Sequence, residues 1–139
     1  MAETFTLKLL LLECFQAQEL NGDEIYIKLD GRVIWTWKTN HDRFSHDISR
    51  PHTIDQFDFA NGRKHGADGW QDAGIEPQAF VFNSLSGSAV LEVWDADTLM
   101  RDDLIGRAPV RATDGGHGAI AVVIQGEGAY YRLTYEVII

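Results

Sequence analysis

Apolar residues in this chain recur at every second position, in short runs divided by glycine-rich or acidic turns, and no window of helical length carries a 3.6-residue apolar period. Side chains of a strand point alternately to opposite faces, so this period writes half-buried β-strands and leaves little room for helix. Ile25, Ile27 and Leu29 alternate with Tyr26 and Lys28. Asp30-Gly31 follows, and then Val33, Trp35 and Trp37 alternate with Ile34, Thr36 and Lys38. A two-residue type I′ turn needs positive φ at both central positions, which Asp-Gly supplies, so a tight hairpin is expected here.

Other strands follow by the same rule. Thr4 to Phe15 places Phe5, Leu7, Leu9 and Leu11 on one face and then turns apolar on both sides, the mark of a central strand. Thr53 to Phe59, the segment around Phe80 and Phe82, Ala89 to Trp94, Leu104 to Ala112, and Ile120 to Ile124 are the next strands. The last carries Tyr131, Leu133, Tyr135 and Val137 inward, with Arg132, Thr134 and Glu136 outward. Asn40 to Pro51 and Asn61 to Gly74 read as loops, the second an irregular one in which Trp70 stands beside Arg63-Lys64. This pattern predicts an all-β chain: an antiparallel β-sandwich of about eight strands, filling residues 1–139 as one domain.

Charge and cysteine usage narrow the partners. Twelve Lys and Arg against 21 Asp and Glu give a net charge of -9. Phosphate backbones are bound mainly through Lys and Arg, so nucleic acid is an unsuitable partner. An anionic membrane is equally disfavoured unless a bound cation reverses the local field. Cys14 is the sole cysteine, which rules out an internal disulfide. The run Leu9 to Leu12 has no basic flank and no small-residue cleavage site, and Glu13 closes it; it reads as neither signal peptide nor membrane span. A cytoplasmic or peripheral membrane location is expected. No Gly-x-Ser-x-Gly elbow, Cys/His signature or phosphate-cradling loop is present, so the chain reads as no enzyme. His41, His46 and His52 match no zinc spacing.

One stretch carries chemistry. From Val93 to Gly106 a strand breaks at a loop holding Asp95, Asp97, Asp102 and Asp103, then re-enters apolar sequence at Leu104 and Ile105. Crowded carboxylates repel one another unless they are solvated or hold a hard cation, and calcium takes six to eight oxygens at flexible geometry. An EF-hand is excluded: Leu99 and Met100 stand where it needs an oxygen ligand and a glycine, and Gly106 where it needs Glu. Asp102 reads as solvent-facing.

Strand, Asp-x-Asp, a third Asp six positions on, an apolar pair and Gly: this order resembles the third calcium-binding loop of C2 domains, β-sandwiches that target membranes. Asp95, Asp97, Asp103, Leu104-Ile105 and Gly106 fill it. The likeness extends to Asp23 through Leu29, similar to that family's Asp-Pro-Tyr-Val strand with Ile25 in place of Pro, to Trp37-Lys38-Thr39, to Phe80-Val81-Phe82 and to the closing strand. The chain thus looks like a divergent, bacterial-type C2-like domain with a short first loop, Gln16 to Glu24. The resemblance implies calcium held by Asp95, Asp97 and Asp103, with Asp23 or Glu24 opposite. It also implies contact with a phospholipid surface through that ion, with Leu99 and Met100 entering the bilayer. Trp70 is a further candidate for insertion, since Trp favours interfaces. The other reading is a non-catalytic interaction sandwich, a subunit or adaptor whose partner is a protein and whose calcium is absent or only stabilising.

Overall fold

A computed structural model describes residues 3–18, 22–36, 43–44, 53–66, 69–73, 79–84, 88–96, 101–126 and 128–138. Among these are twelve strands: β1 (Glu3–Gln16), β2 (Ile25–Leu29), β3 (Arg32–Thr36), β4 (Arg43–Phe44), β5 (Thr53–Asp58), β6 (Arg63–Gly66), β7 (Gly69–Asp72), β8 (Ala79–Ser84), β9 (Ser88–Asp95), β10 (Asp103–Arg111), β11 (Ala119–Gly126) and β12 (Ala129–Ile138). Only a short 3-10 turn, Ala112–Asp114, interrupts them among the described residues. The larger sheet runs β11-β12-β1-β5-β6-β7, with β8 also on β1 and β4 beside β5; the smaller runs β10-β9-β2-β3. The expected antiparallel sandwich is therefore observed, with one parallel pair, β4 on β5.

β1 is central, as its two apolar faces require. It pairs with β12 along one side; on the other, β8 covers its first half and β5 its second. A bulge between Leu9 and Leu11 changes the phase of the strand, so that Phe5, Leu7 and Leu9 point inward before it and Leu12 and Cys14 after it. Leu11, expected on the inner face, is only half-buried for that reason.

Asp30 and Gly31 have φ of 49° and 81°, both in the left-handed region, and close the β2–β3 hairpin as expected. A second bulge, opposite Ile27 and Lys28, takes Val33 out of phase with Trp35, which is buried while Val33 is half exposed. Trp37 lies outside the described residues. The Asn61 to Gly74 segment is not the irregular loop its glycines promised: β6 and β7 form a hairpin that extends the larger sheet.

Buried side chains from both sheets meet in one core. Trp35 is at its centre, with Phe57 and Phe59 rings each 5.0 Å away and Phe44 at 6.2 Å; Phe44 in turn meets Tyr131 at 6.1 Å. At one end the sheets touch backbone to backbone. A Cβ on Gly126 would overlap the Ile105 carbonyl oxygen, and one on Gly106 would sit 3.0 Å from the Ile124 side chain. Glycine is the residue that permits so close an approach.

Candidate functional site

The same end of the sandwich carries the acidic residues. β9 finishes on Asp95 and β10 starts on Asp103, and the two are direct partners across the ladder; on its other side Asp95 is opposite Ile25. The segment before β2 runs alongside. The Glu24 N–H donates to Asp95 Oδ1 at 2.9 Å, and the Ala96 N–H donates to the Glu24 carbonyl at 2.8 Å. Two stretches far apart in sequence are thereby tied into one acidic edge. Asp95 is 1% exposed, whereas Glu24 and Asp103 are half-buried.

Strand alternation sends Asp23 the other way, into the interior, where it is fully buried. Its Oδ2 accepts hydrogen bonds from the Tyr131 hydroxyl at 2.6 Å and the Gln18 N–H at 2.8 Å. Its backbone exchanges a pair of hydrogen bonds with Phe44, at 2.8 and 2.9 Å. A buried carboxylate is tolerable when its oxygens are bonded in this way. Burial pushes the Tyr131 hydroxyl well above its ordinary range, with Cys14 and Asp23 adding to the shift. Burial likewise pushes the Cys14 thiol up to about 12. Cys14, Tyr131 and Asp23 thus form a polar knot that pins the 17–24 connector to the last strand. The resemblance left Asp23 and Glu24 as alternatives; the structure brings Glu24 to Asp95 and gives Asp23 a buried carboxylate.

Asp102 is not solvent-facing. It is half-buried, and its Oδ2 accepts a hydrogen bond from the Tyr26 hydroxyl at 2.6 Å. Burial, seconded by Asp102, pushes that hydroxyl above its usual range. Tyr26 stacks on Trp94 with centroids 6.3 Å apart, and the Lys28 ammonium sits 4.8 Å above the Trp94 ring. Tyr26, Lys28, Val33, Thr36, Ala96 and Asp102 line a cleft of about 370 Å³ there. Trp70 lies on β7, the edge strand of the other sheet, 42% exposed, with the His65 ring at 5.1 Å and the Arg63 guanidinium at 5.8 Å. Asp97, Leu99 and Met100 lie outside the described residues, as do His41, His46 and His52.

Sequence reasoning missed Tyr131 and Tyr26 as partners of carboxylates. The signal available was chemical: an inward-facing Tyr must find an acceptor for its hydroxyl. The chain position of that acceptor carried no local mark.

No protein-family model matches the chain, and no curated protein matches it in sequence. Solved structures do. A C2 domain structure superposes over 98% of this chain and 98% of its own, with a TM-score of 0.50 at 16% identity. The fold is that of a divergent C2-like domain. The C2A domain of plant Extended Synaptotagmin 1 aligns over 97% of this chain and 93% of that one, at 9% identity and a TM-score of 0.48. Human GIVD cytosolic phospholipase A2 aligns over 99% of this chain but only 18% of its own length, at 13% identity and a TM-score of 0.46. The likeness to that enzyme is therefore confined to a small part of it.

The oxygen-rich donors of the C2-like domain's acidic edge suit a hard cation, calcium above others. Among the described residues, however, no group of three or more His, Cys, Asp or Glu side chains is gathered closely enough to hold one. No helix among the described residues is long and apolar enough to cross a membrane.

Proposed function

We propose that this C2-like domain is a non-catalytic binding module that takes calcium at its acidic end and meets phospholipid there. Asp95, Asp97 and Asp103 would hold the ion, with Glu24 beside them; Asp23 serves from the interior by fixing the connector through Tyr131. The observation that carries this reading is the tie between Glu24 and Asp95, which sets the first connector against the Asp95–Asp103 pair. Calcium bound there would cancel local negative charge and offer open coordination positions to lipid phosphate oxygens. Without that charge reversal a chain at -9 is repelled by anionic lipid. Leu99 and Met100, which fall between the aspartates in the sequence, would be the apolar groups that enter the bilayer, and exposed Trp70 would be a further one.

Calorimetric titration with calcium, paired with cosedimentation on phosphatidylserine vesicles, tests the proposal. Saturable binding that Asp97→Asn abolishes, and vesicle binding that appears only with calcium, are the expected results. A different observation favours a second reading. Asp95 Oδ1 already accepts a hydrogen bond from the Glu24 N–H, so the acidic edge is tied together without an ion. Calcium binding with no vesicle binding at any lipid composition would turn the assignment to a protein-interaction module with a stabilising ion.

A further inference from the structure

Asp102 and Asp103 are adjacent, and an extended chain sends neighbours to opposite faces, so only one of them can stand beside Asp95. A one-residue slip would exchange them. Further along β10 the register is secured by burial, since Ala108 and Val110 face the core. Those anchors do not govern the start of the strand. Its ladder with β9 is bulged between Leu104 and Gly106, and a bulge uncouples the phase of the residues on its two sides. A contact at the acidic end itself has to fix which aspartate meets Asp95.

Tyr26 supplies that contact. Its hydroxyl donates to Asp102 Oδ2 at 2.6 Å, although β9 runs between β2 and β10. The ring itself is held in place. It stacks on Trp94 with 6.3 Å between centroids and 10° between planes, and the Lys28 ammonium lies 4.8 Å over Trp94. Trp94 is in turn the ladder partner of both Tyr26 and Leu104. Tyr26, Trp94 and Leu104 thus share one face of the smaller sheet, and Asp102 is drawn to that face by its hydrogen bond. Asp103 is left on the other, as the direct partner of Asp95.

We propose that Tyr26 is a positioning residue for the acidic end: by holding Asp102 it sets Asp103, and not its neighbour, beside Asp95 before any cation arrives. The inference rests on the reading of this end as a calcium site, and adds to it a residue that never touches the ion. A site whose oxygens are already placed gives up less freedom on binding, so loss of the hydroxyl weakens ion binding without removing a ligand. Asp102 acts as the handle by which the start of β10 is held. An amide oxygen accepts a hydroxyl hydrogen as a carboxylate does, so the handle needs an oxygen and not a charge.

Calorimetric calcium titration of the whole chain, paired with amide hydrogen exchange at Asp102, Asp103 and Leu104 in chelator, tests the proposal. Tyr26→Phe keeps the ring and its stack and loses only the hydroxyl. Its calcium dissociation constant should rise about threefold to tenfold, and exchange at the three amides should quicken. Asp102→Ala should do the same, and the double variant no more than either alone. Asp102→Asn should bring both readouts back to within about twofold of the wild type. Tyr130→Phe, which removes an exposed hydroxyl on β12, should move neither. Wild-type affinity in Tyr26→Phe overturns the proposal. So do losses that add in the double variant, or an Asp102→Asn as weak as Asp102→Ala, which would make Asp102 a ligand. A wild type that takes no calcium ends the calcium reading instead. Exchange in chelator then decides the positioning role alone: quickened in Tyr26→Phe it upholds that role, unchanged it overturns it.

Discussion

The contact of Gly126 with Ile105 predicts what one added methyl group does. Gly126 lies in β11, and its φ is outside the left-handed region, so alanine there carries no conformational penalty. The penalty is space. A Cβ would fall well inside contact distance of the Ile105 carbonyl oxygen and 3.3 Å from its carbonyl carbon, and both are backbone atoms that no side-chain rotation can move. Either β10 or β11 must shift, carrying Asp103 or Ala129 with it. Overpacking of this kind costs about 1–3 kcal/mol. With an unfolding entropy of about 2.1 cal/mol/K per residue, 139 residues give roughly 0.3 kcal/mol per kelvin, so Gly126→Ala should lower Tm by about 3–10 °C. Gly128→Asn is the control: φ is +81° with open space around it, a conformation that asparagine tolerates, so its cost should be the smaller. Scanning calorimetry of both variants decides. Equal Tm losses, or a larger one for Gly128→Asn, would refute the reasoning that the sheets interlock at this glycine.

Tyr131→Phe removes a donor from buried Asp23 and should destabilise by about 1–3 kcal/mol, read by urea unfolding; a neutral result would mean that the carboxylate finds another donor. The Cys14 thiol is raised in the folded state from 9.0 to about 12, so its contribution is complete below pH 9.0 and is lost as pH rises towards 12. Tm should therefore fall across that window, and Cys14→Ala should flatten the fall; an unchanged slope would rule the thiol out as its source. Calcium should raise Tm in the wild type and in Asp102→Asn, but not in Asp97→Asn, because an ion bound only by the folded chain stabilises it by mass action. Equal responses from the two variants would mean a diffuse acidic patch.

Where the sequence spoke through a repeated local signal, it was sufficient. Asp30-Gly31, the alternation of β12 and the double-faced β1 each carry their geometry in adjacent residues. What escaped depended on partners elsewhere. Arg63-Lys64-His65 has no apolar alternation, yet it forms a strand because Gln56, Phe57 and Asp58 lie opposite. Val33 left its expected face through a bulge that no residue type announces. At the acidic end, Asp95 and Asp103 were legible as a cluster, because carboxylates crowded at a strand terminus are conspicuous in one dimension. The different surroundings of Asp23 and Glu24 were not. They follow from which of two neighbours faces inward, and from a hydroxyl contributed by the last strand.

The pairing of β1 with β12 also bears on how the chain acquires its structure during synthesis. Thr6 is opposite Ile138, so β1, which precedes the domain's other strands in synthesis, completes its ladder only when β12 has emerged. Until then Leu7, Leu9 and Leu12, all fully buried in the finished molecule, lack that neighbour. Contacts so distant in sequence make for slow folding, and the waiting interval is when aggregation competes. Within this domain the hazard begins with β1 and its relief comes with β12. A product interrupted before β12 would therefore leave β1 without that neighbour.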